Sequence, residues 1–328
     1  MTAVPTNTPF PTKDSSSLPP PNRLGRGINL GNALEAPNEG EWGVTLQEEY
    51  FRLIKEKGFD TVRIPVRWST HAGKEPPYTV DAEFMRRVQW AVDQALENDL
   101  NAIVNMHHYE EMKTEPEANW ERFLAIWDQV AAHFKDYPDS LVLEIMNEPA
   151  GEMKWDLWNK LYPQALEVIR KTNPTRDVIV GPADWNAIIS LDDLILPDDD
   201  EHIILTVHYY LPFHFTHQGA EWENGSEYWL GDTWTAEEWQ TKEIDQHFRE
   251  AAAWAAKKNR PVLLGEFGVY NKAPMDQRAL WTDFVARTAE AYNMSWAYWE
   301  FCAGFGIYDP ETGEWREPLL NALIPQQP

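Results

Sequence analysis

Cysteine is almost absent from this sequence, because Cys302 is the single cysteine among 328 residues. One cysteine excludes an intramolecular disulfide framework and any zinc site built from four cysteines. Long apolar runs are absent as well. No stretch of about eighteen apolar residues occurs, so we expect no membrane-spanning helix and no membrane partner. The chain must fold around a hydrophobic core of its own.

Positive charge is also scarce, since 28 Lys and Arg face 53 Asp and Glu, for a net charge of −25. A nucleic-acid-binding surface needs a cluster of Lys and Arg residues, and the sequence contains no such basic cluster. We therefore exclude nucleic acid as a partner. An acidic protein of this kind is compatible with a neutral polymer as its substrate.

The first residues contain no basic-then-apolar signal peptide. Residues 1–22 are instead rich in Pro, Thr and Ser, which predicts a disordered or extended leader before a single domain at 23–328. Leaders of this composition commonly tether secreted modules, so we expect an extracellular protein whose signal peptide is not part of this sequence. The alternative is a frayed terminus without a role.

Tryptophan, in contrast, is abundant, with 17 in the chain and aromatic residues at 13%. Flat rings outside a core are suitable platforms for the faces of sugar rings. The alternative is that most of these tryptophans pack between helices and a sheet.

Strand-like apolar runs alternate with amphipathic segments from residue 23 onward. Eight strands are predicted, at 27–30, 61–66, 102–106, 141–146, 178–180, 203–208, 262–265 and 295–299. Helices are predicted at 46–57, 82–97, 118–134, 155–171, 236–257 and 277–291, with a short one at 186–194. Eight such repeats favour a closed (β/α)8 TIM barrel over an open sheet.

Polar and aromatic residues collect at one end of these predicted strands. They are Asn32, Glu35, Arg63, His107, His108, Asn147, Glu148, His208, Tyr210, Glu266, Trp299 and Glu300. In barrels of this class the chemistry takes place at the carboxyl ends of the strands. The pattern therefore predicts an active site at that end.

Two carboxylates, Glu148 and Glu266, end apolar runs in the fourth and seventh repeats. Glycosidic bond cleavage needs an acid and, for retention of configuration, a carboxylate nucleophile about 5 to 5.5 Å away. The two glutamates could fill these roles across the barrel mouth. The alternative is that they are structural ion-pair partners.

Arg63 lies inside an apolar strand, where a guanidinium needs an anion. Glu266 is the expected partner and Glu144 the alternative. The amide of Asn147, next to Glu148, is suited to bind the 2-hydroxyl of a sugar.

Several histidines could suggest a metal centre, namely His107, His108, His208 and His217. Their spacing lacks the helical two-histidine-plus-glutamate pattern of zinc proteases. We therefore expect neither a metal nor another cofactor, and we assign the histidines to hydrogen bonds with sugar hydroxyls or catalytic carboxyls.

Six short segments, taken together and in order, resemble glycoside hydrolase family 5, and in particular its compact bacterial endoglucanases. The resemblance covers about residues 23–323. The segments are 27–35, Asn147-Glu148-Pro149, His208-Tyr209-Tyr210, 216–222, Gly265-Glu266-Phe267-Gly268 and 297–301.

The resemblance implies that residues 23–328 form a glycoside hydrolase domain with Glu148 as acid/base and Glu266 as nucleophile. Arg63 and Tyr210 would hydrogen-bond Glu266, and His208 would lie near Glu148. The remaining residues that it implies bind substrate: Asn147, His107 and Trp299 where the sugar is attacked, and Asn32, Glu35, His108, His217 and Trp222 along the cleft.

The sequence thus predicts a monomeric, retaining endo-β-1,4-glucanase that hydrolyses cellulose and related β-glucans by double displacement. A β-mannanase or a dual glucanase and mannanase is the alternative, because the sequence does not resolve how the cleft treats the sugar 2-hydroxyl. A metal-dependent hydrolase and a non-catalytic, carbohydrate-binding barrel are rivals from other classes.

Overall fold

The computed structural model describes residues 18–325. Most of the predicted leader, residues 1–17, lies outside this range. The last leader residues contact the barrel: the Asn22 side chain donates to the carbonyl of Val262 (2.9 Å), and the carbonyl of Pro19 accepts from the Asn293 side chain (2.8 Å).

Eight parallel strands form a closed barrel in which each strand pairs with the next and the eighth pairs with the first. This confirms the predicted (β/α)8 fold. The strands are β1 (Arg26–Asn29), β2 (Thr61–Ile64), β3 (Asn101–Asn105), β4 (Leu141–Glu144), β5 (Val178–Val180), β6 (Ile203–Tyr209), β7 (Val262–Phe267) and β8 (Ser295–Tyr298). A hairpin of β9 (Tyr308–Asp309) and β10 (Glu314–Trp315) lies outside the barrel.

Helices surround the barrel. They are α1 (Glu48–Glu56), α2 (Ala82–Glu97), α3 (Glu110–Thr114), α4 (Pro116–His133), α5 (Trp155–Arg170), α6 (Ala183–Asn186), α7 (Phe213–Thr216), α8 (Glu238–Lys257), α9 (Met275–Ala291) and α10 (Glu317–Leu323). Short 3-10 helices occupy Trp68–His71, Ile188–Asp193 and Ser226–Trp229. Within residues 18–325, no helix has both the length and the apolar character needed to cross a bilayer.

Side-chain alternation along the strands creates two separate layers of core. In β4, Leu141 and Leu143 pack into the large cluster beneath the helices, whereas Val142 belongs to a small cluster shared by several strands in the barrel interior. Because successive side chains of a strand point to opposite faces, Glu144 points inward like Val142. The interior is therefore apolar at Val142 and charged one layer higher, toward the carboxyl ends.

The pairing of β6 with β7 contains a bulge. Val207 pairs with Leu264, but His208 pairs with Glu266, so Gly265 is the extra residue on β7. A bulge redirects the side chains that follow it. It places His208 and Glu266 side by side. Pairing continues beyond the bulge, so β7 extends to Phe267 and does not end at the predicted residue 265.

The connection between β5 and β6 also differs from the prediction of a short helix at 186–194. The 3-10 helix Ile188–Asp193 accounts for most of it, but the preceding segment α6 is not a regular helix. It is a left-handed turn, with φ of 58°, 58° and 56° at Asp184, Trp185 and Asn186. Left-handed φ values are rare for residues other than glycine, and sequence periodicity does not report them.

Candidate active site

Arg63 on β2 is the centre of a buried hydrogen-bond network. Its Nε and Nη2 atoms donate to both oxygens of Glu144 (2.6 and 2.9 Å), and Nη1 donates to Glu266 Oε1 (2.7 Å). Two amide oxygens, from Asn29 (2.8 Å) and Asn147 (2.6 Å), accept the remaining bonds. Both partners that the sequence offered for Arg63 are therefore used, and the planar guanidinium joins them.

Glu266 on β7 is buried and held from two sides. Besides the bond from Arg63, its Oε2 accepts from the hydroxyl of Tyr210 (3.0 Å). Burial raises the pKa of Glu266, while the charge of Arg63 opposes the rise. The carboxylate is thus fixed in orientation next to a permanent positive charge.

Glu148 lies just beyond β4, with its side chain partly exposed. Its Oε1 atom is 2.8 Å from His208 Nδ1. Burial raises the pKa of Glu148 to about 7, although Lys113 and Arg63 act in the opposite direction. Burial also lowers the pKa of His208 to about 4, so this imidazole is neutral near pH 7. Glu148 is consequently suited to donate a proton near neutral pH.

A single group of His, Cys, Asp or Glu side chains in the described part of the chain has the geometry to hold a metal ion. It consists of Glu148, His208 and Glu266, whose potential ligand atoms lie within 4.8 Å of one another. The same distance means that an oxygen of Glu148 lies within 4.8 Å of an oxygen of Glu266. These residues could thus act on one bond as a carboxylate pair.

His107 and Trp299 form one wall next to this pair. Their rings stack at 5.4 Å with an interplanar angle of 10°, and His107 Nε2 lies 4.0 Å from Glu266 Oε1. His108 packs edge-on against His107, and Trp42 packs edge-on against His108. Burial lowers the pKa of His107 well below its ordinary value and that of His108 to about 3, so both rings are neutral.

Asn32 and Glu35 lie in the loop after β1. Gly31 of the same loop lies against the ring of Trp299. The Glu35 carboxylate is 1% exposed and accepts from the backbone N–H groups of Asn32 and Ala33. Burial raises the pKa of Glu35 to about 8. Its carboxyl therefore orders its own loop.

His217 and Trp222 belong to the loop after β6. His217 is buried beside Tyr210 (ring centroids 5.0 Å apart) and stacks on Phe213. The Trp222 side chain is 60% exposed and packs edge-on against Tyr270. His217 thus contacts the residues around Glu266, while Trp222 lies farther out, on the rim.

Four buried residues of the site lacked a functional assignment from sequence. Asn29 donates from Nδ2 to the carbonyls of Gly265, Ala297 and Tyr298, and thereby joins β1 to β7 and β8. The others are Asn105, which contacts His107 Nδ1 (3.1 Å), Asn186, and Glu300, whose carboxylate accepts from the N–H groups of residues 302, 303 and 305. An amide inside an apolar strand was the available signal for Asn29 and Asn105.

The chain matches the family model described as Cellulase (glycosyl hydrolase family 5) over residues 26–304. Endoglucanase H of Acetivibrio thermocellus is 37% identical over 308 residues, which are 92% of this chain and 33% of that protein. The chain thus spans about a third of the length of this curated relative.

Two solved structures are similar over nearly their whole length. A structure of Thermotoga maritima Cel5A described as a complex with cellobiose is 49% identical, with a TM-score of 0.91 and coverage of 92% of this chain and 98% of that chain. A second structure of the same protein, described as a complex with mannotriose, matches with the same identity, coverage and TM-score. The family model, the endoglucanase relative and the shared barrel all agree that the chain belongs to the cellulases of glycosyl hydrolase family 5.

Proposed function

We propose that this chain is a retaining endo-β-1,4-glucanase in which Glu148 is the acid/base and Glu266 the nucleophile. The observation that carries the proposal is the approach of their carboxylate oxygens to within 4.8 Å. Inverting enzymes need about 6.5–9.5 Å between the two carboxyls to admit a water, whereas retaining enzymes have about 5 to 5.5 Å. One oxygen of each carboxylate thus lies closer to the other than inverting enzymes require, which favours direct attack on the sugar.

In the first step, an oxygen of Glu266 forms a bond to the anomeric carbon. The glycosidic C–O bond breaks, its electron pair goes to the leaving oxygen, and that oxygen takes the proton of Glu148. The raised pKa of Glu148 keeps this proton available near neutral pH. The bonds from Arg63 and Tyr210 hold Glu266 in place for attack.

In the second step, a water attacks the anomeric carbon of the glycosyl ester. Glu148, now ionised, takes a proton from that water, and the ester bond breaks with its electron pair returning to Glu266. The product has the configuration of the substrate because two inversions have occurred. Protonated Glu148 and ionised Glu266 are thereby restored.

The proposed substrate is a β-1,4-glucan. The endoglucanase name of the A. thermocellus relative and the cellobiose complex of T. maritima Cel5A support this assignment. The mannotriose complex of the same protein makes mannan and glucomannan the substrates to test beside it. We further propose that the protein is secreted, as its polymeric substrate and Pro/Thr-rich leader suggest. We also propose that the domain acts as a monomer.

Glu148→Gln and Glu266→Gln test the catalytic assignment, with the exposed Glu152→Gln as a matched control. On carboxymethyl cellulose we expect each active-site change to lower kcat by about 10² to 10⁴-fold or more, because each removes a proton-transfer or covalent role. The control should retain full activity. Full activity in either active-site variant would overturn the assignment.

A substrate with an activated leaving group separates the two roles. With 2,4-dinitrophenyl cellobioside, Glu148→Gln should still release dinitrophenolate in a burst, because this leaving group needs no proton, whereas Glu266→Gln should show none. NMR of the first-formed anomer from cello-oligosaccharides tests retention. An inverted first product would contradict the short carboxylate spacing.

A panel of carboxymethyl cellulose, barley β-glucan, glucomannan, galactomannan and xylan tests the substrate. We expect the highest kcat/KM on the glucans. A preference for galactomannan would instead assign the protein as a mannanase. Loss of activity on treatment with a chelator would favour a metal at Glu148, His208 and Glu266. Analytical ultracentrifugation at working concentration would measure the molecular mass and so test the proposed monomer.

A further inference from the structure

A left-handed turn brings the side chain of Asn186 into contact with Asn147 and His208. Asp184, Trp185 and Asn186 have consecutive positive φ values, a conformation that Asp and Asn tolerate but Trp rarely adopts. The N–H of Trp185 donates to the carbonyl of Pro149 (3.3 Å) and ties the turn to the segment that follows Glu148. Such local strain persists only where the surrounding structure enforces it.

Asn186 is completely buried. Its Nδ2 atom donates to the carbonyl oxygen of Asn147 and lies 3.4 Å from His208 Nε2, whereas Oδ1 has no partner within residues 18–325. The opposite orientation of the amide would set Oδ1 against the Asn147 carbonyl oxygen, with two acceptors in contact. The NH₂ group therefore faces both Asn147 and His208.

This orientation determines which nitrogen of His208 carries the proton. One hydrogen of the Asn186 NH₂ group serves the Asn147 carbonyl, and the second is directed to His208 Nε2. A neutral imidazole has one donor and one acceptor nitrogen, so Nε2 accepts and Nδ1 carries the hydrogen. Nδ1 then donates to Glu148 Oε1 over 2.8 Å.

We propose that Asn186 is a positioning residue that acts through His208 to hold the acid proton of Glu148 on Oε2, the oxygen free to face the leaving group. Because Oε1 accepts from His208 and a carbonyl oxygen is a stronger acceptor than a hydroxyl oxygen, this bond favours the proton on Oε2. Without Asn186 the imidazole could adopt the other tautomer, in which Nδ1 would accept the proton of Glu148 and turn it away from the substrate. The inference rests on the proposed role of Glu148 as the acid.

Two glycines leave the space that the side chains of Asn186 and His208 need. A Cβ at Gly181 would lie 2.2 Å from Asn186 Oδ1, and a Cβ at Gly265 would lie 2.9 Å from His208 Nε2. Real Cβ atoms essentially never approach other atoms so closely. The backbone on both sides therefore accommodates the amide and the imidazole in this arrangement.

Asn186→Gly and Asn186→Ala test the role, because both remove the amide but only glycine tolerates the left-handed backbone without cost. We expect both variants to lose about 10-fold or more in kcat/KM on cellopentaose, equivalent to one hydrogen bond in the transition state. On 2,4-dinitrophenyl cellobioside, which needs no acid, the loss should stay below about 3-fold. The thermal unfolding of each variant shows whether it is folded.

Equal losses on the two substrates would reduce Asn186 to a structural residue and overturn the inference. Impairment of Asn186→Ala together with normal kinetics of Asn186→Gly would do the same, since it would assign the effect to the backbone. If the unmodified enzyme fails to cleave cellopentaose, the proposed function itself fails instead.

The ring nitrogens of His208 provide a readout that does not depend on the variants folding. In ¹⁵N NMR spectra of the unmodified enzyme, assigned by comparison with a His208→Gln variant, we expect Nδ1 to be protonated and Nε2 to be unprotonated. The opposite tautomer would overturn the inference.

Discussion

The guanidinium of Arg63 donates to the carboxylate of Glu266 over 2.7 Å, and both side chains are buried. The same guanidinium also binds both oxygens of Glu144. One cation is thus shared by two buried carboxylates, and its planar, five-donor geometry allows it to contact both.

Replacement of Arg63 by methionine should therefore affect stability and activity together. It would leave Glu144 and Glu266 buried without a cation, so we expect the free energy of unfolding to fall by about 3–5 kcal/mol. The stability and activity of Arg63→Lys should lie between those of the unmodified protein and Arg63→Met, since an ammonium keeps the charge but cannot reproduce the forked contacts. Urea unfolding measures the stability, and kcat on carboxymethyl cellulose measures the activity. Wild-type stability of Arg63→Met would contradict the role of Arg63 as the shared counter-ion.

The pH dependence of kcat/KM should follow the two carboxyls that we propose to be catalytic. Glu148 has to be protonated in the first step, so activity should fall as the pH rises through about 7, its raised pKa. Glu266 has to be ionised, so activity should also fall on the acidic side, at a pH above its ordinary 4.5 because burial raises its pKa. A bell-shaped profile on cello-oligosaccharides is expected. An alkaline limb that persists in Glu148→Gln would show that another group is the acid.

The hydroxyl of Tyr210 offers a more limited test of how Glu266 is oriented. Tyr210→Phe removes the 3.0 Å bond to Oε2 and leaves the ring in place. We expect kcat/KM to fall by about 10- to 100-fold, the value of one hydrogen bond to a charged group. Tyr209→Phe is the matched control, because the adjacent hydroxyl contacts His247 (3.0 Å) instead. Equal effects of the two changes would deny Tyr210 a specific role.

Glu300 should make the stability depend on pH. Burial raises its pKa from 4.5 to about 7 in the folded state. A raised folded-state pKa of an acid means that the stabilisation is complete below about pH 4.5 and is lost as the pH rises toward 7. The amide introduced by Glu300→Gln would not titrate but would place an NH₂ group among backbone donors, so we expect this change to lower Tm most at acidic pH.

The difference in Tm between the unmodified protein and Glu300→Gln should accordingly narrow between about pH 5 and about pH 8. Thermal unfolding in matched buffers measures it. The exposed Glu311→Gln serves as the control, with a small difference that does not change over this range. A Tm gap that widens with pH would contradict the raised pKa of Glu300.

Periodicity and composition were sufficient to predict the barrel, because eight repeats of a strand and a helix leave a regular pattern. The same reasoning predicted that the seventh strand ends at residue 265, one residue before Glu266, because a bulge at Gly265 has no periodic signature in the sequence. It also anticipated Glu144 and Glu266 as competing partners of Arg63, whereas the structure shows that Arg63 binds both.

Contacts between residues far apart in sequence could not be predicted in this way. Asn186 reads as the start of a short helix, and only the left-handed turn brings its amide to His208. Glu300 reads as one more polar residue at a strand end. Its burial depends on the loop that folds back over it.

The amide of Asn29 has a consequence for when the site can form during synthesis of the chain. This one side chain ties the first strand to the seventh and eighth, and it also accepts from Arg63. Arg63, the counter-ion of the proposed nucleophile Glu266, is thus fixed by residues from both termini of the barrel. A chain still emerging from the ribosome would lack this connection, so hydrolysis would begin only after synthesis of the last repeat.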